Sequence, residues 1–183
     1  MDGSVLNPSA ASVRKAVRPV LGLTLLGTLA WLAAIFLAPL LRSRSSGAAP
    51  FFYALFSPIC HQIPERSFFL RGSPLAVCGR CLGIYAGFLA GLVLYPFVRG
   101  FSRIALPAAR LFVLMSVPVG LDFLIGFLNI WQSPIEVRFA TGFLWGVLLP
   151  YYFLTGVSEL VLRRSARKTA AGTPASGGNG AGP

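Results

Sequence analysis

The sequence predicts an all-α fold: an integral membrane bundle of four transmembrane helices, with a re-entrant or interfacial segment between spans 1 and 2. Three observations predict it. Apolar residues make up 55% of the 183-residue chain and charged residues 11%, with a mean hydropathy of +0.73, whereas soluble domains carry about 25% charged residues. The apolar residues fall in long stretches nearly free of charge, as a hydrocarbon core about 30 Å thick requires. The basic residues sit in short groups between those stretches, where topology signals and contacts with anionic lipid head groups belong.

Residues 1–18 form a polar, basic N-terminal segment ending in Arg14, Lys15 and Arg18. Pro19 to Leu41 is the first span. It is longer than the roughly 7–15 apolar residues of a secretory signal and has no convincing cleavage site, so it reads as a retained helix. Arg42 to Ala49 is a basic, Ser-rich turn. Pro50 to Ile59 is apolar and aromatic but too short to cross the bilayer at ~1.5 Å per residue, so it is expected to be interfacial or re-entrant. Gln62 to Ser73 is polar, and the second span runs from about Leu75 to Val98. Arg99, Arg103 and Arg110 mark the next loop. Leu111 to Ile130 is the third span, interrupted mainly by Pro118 and Asp122, and Trp131 to Arg138 is a short polar connection with an interfacial tryptophan. Phe139 to Leu162 is the fourth span, with Glu159 near its end and Arg163, Arg164, Arg167 and Lys168 beyond it. The membrane domain thus covers 19–168, and the Gly/Ala/Ser/Pro-rich tail, 169–183, is expected to be disordered.

Four crossings put both termini on one side, which then carries ten of the sixteen basic residues. The positive-inside rule makes that side cytoplasmic and the Cys-bearing face the outer one, in a multi-pass protein of the cell membrane. The net charge of +11 comes without a nucleic-acid recognition module, which excludes nucleic acid as a partner. The partners implied are the bilayer and its anionic head groups; a membrane protein partner or a second copy of the chain stays open.

Gly79, Gly83, Gly87 and Gly91 recur every four residues along the second span, and Gly142 and Gly146 repeat the spacing in the fourth. Such stripes let helix backbones approach closely in lipid. Cys78, Cys81 and Tyr85 fall on the face roughly opposite the stripe, by i, i+3 and i+7 spacing.

All three cysteines and the only histidine lie between Cys60 and Cys81. Cys60, His61, Cys78 and Cys81 can supply a Cys₃His set for zinc or another soft divalent metal. The C-x-x-C half suits a helix start. The adjacent pair needs a turn, because neighbouring side chains diverge in extended backbone, and Pro58 and Pro64 offer one. The same residues admit thiol–disulfide chemistry, since a C-x-x-C at a helix N-terminus with Arg80 between its thiols favours the thiolate. The bland alternative is that Cys78 and Cys81 are small buried apolar residues. The order of residues excludes C-x-x-C-H haem attachment, and no nucleotide-binding motif is present. Glu65 and Arg66 are either a solvated ion pair or groups that orient the ligands. Four protein ligands would leave no open coordination position, which argues against an enzyme; three would reverse that.

Asp122 is expected near mid-bilayer, where a carboxylate costs roughly 2.5–3.5 kcal/mol on insertion scales and needs a partner. Arg138 and Arg80 are the candidates. Asp122 then either fixes helix register or serves a proton or cation relay. Glu136, Arg138 and Thr141 fall on the same membrane face as the cysteines, whichever way the chain is inserted.

Cys60-His61-Gln62-Ile63-Pro64-Glu65-Arg66-Ser67-Phe68 and Cys78-Gly79-Arg80-Cys81-Leu82-Gly83-Ile84-Tyr85 resemble blocks of a prokaryotic family of predicted membrane proteins, the domain of unknown function 2085. Gly120-Leu121-Asp122 and Val137-Arg138-Phe139-Ala140-Thr141-Gly142 are similar to later blocks, so the resemblance covers roughly Phe51 to Gly146. It implies that the Cys-His pair and the C-x-R-C-x-G-x-Y helix start act together, and it transfers no activity. The apolar Phe123-Leu124-Ile125 departs from the family pattern and argues against a polar pathway past Asp122. The function expected is therefore a membrane protein with a Cys/His metal site, most simply structural zinc, at one face. The alternatives are a membrane thiol–disulfide oxidoreductase, and a small transporter or assembly partner relying on Asp122.

Overall fold

The fold is known from a computed structural model that describes residues 10–99, 108–128 and 130–172, with residue 10 and residues 166–172 given by their backbone alone. Residues 1–9, Arg103 and the end of the expected tail, 173–183, lie outside the described residues. Within them are five helices: α1 (Ala10–Ser43), α2 (Ala49–Phe56), α3 (Gly79–Arg99), α4 (Ala109–Phe127) and α5 (Ile135–Gly172). Between α2 and α3 lie a 3-10 turn, Pro64–Arg66, and an antiparallel pair of two-residue strands, β1 (Phe69–Leu70) and β2 (Ser73–Pro74). α1, α3, α4 and α5 are long and apolar enough to cross a membrane, as predicted, and α2 is the short segment between spans 1 and 2.

Each span departs from its expected bounds for a packing reason. α1 starts at Ala10 because Val13, Ala16 and Val17 continue its apolar stripe, and Val13 and Val17 join Leu21, Leu92, Tyr95, Tyr151 and Leu154 in a buried cluster. Arg14, Lys15 and Arg18 therefore ride on the exposed side of a helix rather than in a free segment. α3 starts at Gly79, not Leu75, because the preceding residues are spent on the connector. The Leu75 amide donates to the Phe68 carbonyl at 2.8 Å, and Leu75, Ala76 and Val77 are buried. α4 stops at Phe127. α5 begins one turn early, just after Pro134, and runs on through the first residues of the expected tail.

The bundle is organised by a backbone-to-backbone contact between α3 and α5. A Cβ at Gly79 would press on Ile135; at Gly83 and Gly87 it would collide with the Phe139 and Phe143 carbonyls, and at Gly91 with that of Val147. The match is reciprocal, for a Cβ at Gly142 or Gly146 would strike the carbonyl of Arg80 or Ile84. Each step of four residues on α3 is met by a step of four on α5, so the helices run parallel in one register. Lipid offers no hydrophobic drive for such pairing; close van der Waals contact and Cα–H···O bonds supply it instead. α1 packs along this pair.

α4 is the loosely held span, and Asp122 is its buried residue. It leans on α5 through Phe112, whose ring centroid lies 6.0 Å from Trp145 and 5.3 Å from Tyr152. The Trp145 indole N–H donates to Ser116 Oγ at 2.9 Å.

Gly87→Ala should lower the unfolding free energy by about 1–3 kcal/mol, the usual range for overpacking, as read by denaturation in mixed detergent. Gly120→Ala, where nothing lies within 4 Å of the new methyl, should leave it unchanged or slightly higher.

Candidate metal centre

The polar connector, 57–78, folds back over the bundle because three hydrogen bonds fix it. The Tyr53 hydroxyl, on α2, donates to the Pro74 carbonyl at 2.5 Å. The Gln62 side-chain amide donates to both the Tyr53 carbonyl, at 2.7 Å, and the Ala76 carbonyl, at 2.8 Å. Gln62 thus clamps the end of α2 to the residues just before α3. Its own backbone is left-handed, with φ +52°, a strained choice for a side chain with a Cβ, and this supplies the turn that the sequence left to Pro58 and Pro64.

That turn separates the adjacent ligands. Cys60 points inward and is buried, its amide bonded to the Phe56 carbonyl at 3.0 Å. His61 is exposed. The sulfurs of Cys60, Cys78 and Cys81 all lie within 4.8 Å of one another, and His61 is not part of the group. The expected meeting of imidazole and three sulfurs therefore holds for the sulfurs, while neighbouring side chains diverge at Cys60-His61.

Cys78 immediately precedes α3 and Cys81 lies in its first turn, with the Leu82 amide bonded to the Cys78 carbonyl at 3.0 Å. The Cys78 amide donates to Cys60 Sγ at 3.2 Å, a charge-assisted bond when that sulfur is ionised. Hydrogen bonds from the Cys60 and Cys81 thiols hold the Cys78 thiol well below its usual range. The hydrogen bond with Cys78, together with burial, pushes the Cys60 thiol up. All three are free cysteines. Tyr85 shares their face as predicted, packing with Trp31 and Phe56 into the apolar cluster around the sulfurs. The ring centroids of Trp31 lie 4.9 Å from Phe56 and 6.0 Å from Tyr85.

Beside the sulfurs runs a chain of charged and polar groups. Arg80, between the cysteines of the C-x-x-C, forms an ion pair with Asp122 on α4, its Nε 3.1 Å from Oδ2. The Ser133 hydroxyl donates to Asp122 Oδ1. Arg138 Nε donates to the Ser133 carbonyl at 2.9 Å, and its NH2 reaches Gln132 Oε1 at 3.4 Å. Arg66 donates to the same Gln132 oxygen at 3.0 Å.

Of the two candidate partners, then, Arg80 takes Asp122 directly. Asp122 lies about 7.5 Å from the end of α4, at ~1.5 Å per residue, because that helix ends at Phe127. Glu65 is exposed and Arg66 turns to Gln132 instead of pairing with it. Thr141 spends its hydroxyl on the carbonyls of Val137 and Arg138 within α5.

Gln62, Ser133 and Gln132 are the site residues that sequence reasoning missed. Gln62 lies inside the quoted Cys60–Phe68 block, which was the available signal; the other two sit in a connection recognisable only as polar. The sulfurs fit a d10 ion. At a Zn–S bond of about 2.3 Å, thiolates on a tetrahedral zinc stand roughly 3.8 Å apart, a small closure from the spacing here.

Fold and site together define a class: a multi-pass helical membrane protein with a three-thiol centre at one face of its bundle. The chain belongs to the family described as predicted membrane protein (DUF2085), whose model matches residues 60–152 and so takes in all three cysteines, Asp122 and Arg138. It is 37% identical over 112 residues to the uncharacterized protein MJ1492 of Methanocaldococcus jannaschii, covering 61% of this chain and 72% of that one. It is 36% identical over 87 residues to an uncharacterized protein of Methanothermobacter thermautotrophicus, covering 48% of this chain and 77% of the relative. No solved structure matches it.

Two outcomes are expected. In metal-free protein titrated from pH 9 downward, thiolate absorbance near 240 nm should persist for one thiol below pH 7, because the depressed Cys78 group stays ionised where an ordinary thiol has taken up its proton. A cluster fully protonated at pH 7 would contradict the hydrogen-bonding pattern. Asp122→Asn should destabilise the fold by roughly 3 kcal/mol, since it leaves the half-buried Arg80 cation unpaired, and limited proteolysis should then cut first at the ends of α4.

Proposed function

We propose that this protein binds one thiophilic d10 metal ion, zinc in the simplest case, through Cys60, Cys78 and Cys81 at one face of the membrane. The observation that carries it is the convergence of three sulfurs within 4.8 Å from segments on opposite sides of the connector. The lowered Cys78 thiol supplies one ionised sulfur of the kind a metal requires. Arg80, held by Asp122, places a fixed positive charge beside the thiolates.

Three protein ligands leave the fourth position to water, to an exogenous ligand, or to His61 after a local turn of the backbone. A site of this kind extends from structural zinc to Lewis-acid chemistry, which needs an open position. The distribution of basic residues supports cytoplasmic termini and a metal site on the outer face of the cell membrane. One observation favours a second use of the same sulfurs: a depressed thiol at a helix start is also the attacking group of thiol–disulfide exchange.

Metal analysis of the detergent-solubilised chain should return about one zinc per protein, falling to background in Cys78→Ser/Cys81→Ser and holding in His61→Ala. Loss of zinc in His61→Ala would restore the four-ligand set. Metal-free protein whose thiols cycle with a defined midpoint potential would assign the cluster to redox chemistry instead.

A further inference from the structure

We infer that Arg66 and Arg138, flanked by the Asp122-bound Arg80, form a receptor for a phosphate-type oxyanion at the cysteine-bearing face, with the amide oxygen of Gln132 standing where an oxygen of that anion binds. The site adjoins the proposed metal centre, since Arg80 lies between Cys78 and Cys81, but anion binding there requires no metal.

The inference begins with a charge balance. The chain has five acidic residues against sixteen basic ones. Asp2 lies outside the described residues. Glu159 pairs with Arg163 near the other end of α5, and Asp122 pairs with Arg80. Glu65 and Glu136 are exposed, and neither is within ion-pair distance of a described cation. Three arginines therefore gather around one carboxylate, and that carboxylate is already engaged by Arg80 and Ser133.

Arg138 makes the imbalance acute. It is only 5% exposed, and its acceptors are neutral: the Ser133 carbonyl and the Gln132 amide oxygen. Asp122 lies near enough to act on the Arg138 charge but does not bond it, and a buried guanidinium bonded only to neutral oxygens is unfavourable. The half-buried Arg66 donates to that same Gln132 oxygen, so two like charges are drawn to one uncharged acceptor. An oxyanion would offer these two guanidiniums charged oxygens in place of one shared amide oxygen. The Arg138 head packs beside Gly126 of α4, the guanidinium lying 3.5 Å from where a Cβ would be.

Access comes from the rim. Gln132 is exposed and sits above the buried Arg138, so an incoming anion need displace only a surface amide. Trp131, 54% exposed beside it, suits the depth of lipid head groups. The ligand chemistry is that of a phosphate monoanion or dianion. It can come from a phospholipid head group or from a free phosphate compound.

The test uses the full chain in two arms. In the first, protein in an uncharged detergent at low ionic strength is titrated calorimetrically with inorganic phosphate. In the second, nanodiscs of phosphatidylcholine with and without phosphatidylglycerol are compared, and the phosphatidylglycerol retained after mild delipidation is counted by native mass spectrometry. Saturable binding is expected in at least one arm. It should weaken about tenfold or more in Arg66→Gln and Arg138→Lys, the scale of one hydrogen bond to a charged group, and stay unchanged in Arg44→Gln, an exposed arginine outside the cluster. Arg66 lies on a surface turn, so its variant keeps the test decisive if the Arg138 variant fails to fold. Binding of inorganic phosphate identifies a free oxyanion, and retention of phosphatidylglycerol alone identifies a lipid head group; both support the site. No saturable binding in either arm, or wild-type affinity in Arg66→Gln, overturns it.

Discussion

The contact on which the rest depends is the glycine-lined approach of α3 to α5. It brings two backbones so close that carbonyls of one helix occupy the space where side chains of the other would begin. Because it is parallel and in a single register, it delivers the first turns of both helices to the same membrane face. Cys78, Arg80 and Cys81 arrive from one helix and Arg138 from the other. A pairing built from large interlocking side chains would tolerate sliding by a residue or two. One built from glycines opposed to carbonyls does not, since each step off register puts a side chain against backbone.

Everything polar at that face follows from what such a scaffold cannot do. Glycine stripes hold helices together but bury no charge, so the charged groups must satisfy one another. Arg80 is positioned by the same turn that positions two cysteines, and it spends its charge on Asp122 of the one helix with little other packing. The ion pair therefore serves as the main polar anchor of α4 at this end. Helix α4 has a second hold farther along, the Trp145–Ser116 hydrogen bond and its neighbouring rings. The sulfur cluster, the Arg80–Asp122 pair and the loop carrying Ser133 are thus one connected unit, in which a change at the sulfurs acts on α4 through a single side chain.

The spans and the glycine pairing were legible in the sequence because they rest on hydrophobicity and on strict spacing, both local properties. The meeting of Cys60 with Cys78 and Cys81 was legible too, as a concentration of soft ligands in one short stretch. The exclusion of His61 was not. It depends on one left-handed residue, Gln62, whose side chain pays for its backbone by bonding two carbonyls that are distant in sequence. Asp122 was visible as a charge needing a partner, but its nearness to the end of α4 was not, because that end is set by the connection that follows and not by apolar content. Ser133 and Gln132 carried no signal of their own; only the fold shows them beside the arginines.

Two kinds of demand meet at this face and pull in opposite directions. A metal-bound set of thiolates, as proposed, would need positive charge near it, and Arg80 sits within the C-x-x-C itself. The bilayer penalises any positive charge left without an anion, and Asp122, bonded to Arg80 and also near Arg138, is one carboxylate among three arginines. Arg138 and Arg66 are held by neutral oxygens, which keep the guanidiniums in place without cancelling their charge. A carboxylate at position 132 would have the shape to pair with both arginines, since glutamate and glutamine share one. The sequence places the amide there instead. An uncharged acceptor orients two cations and leaves their field available to a group from outside the chain.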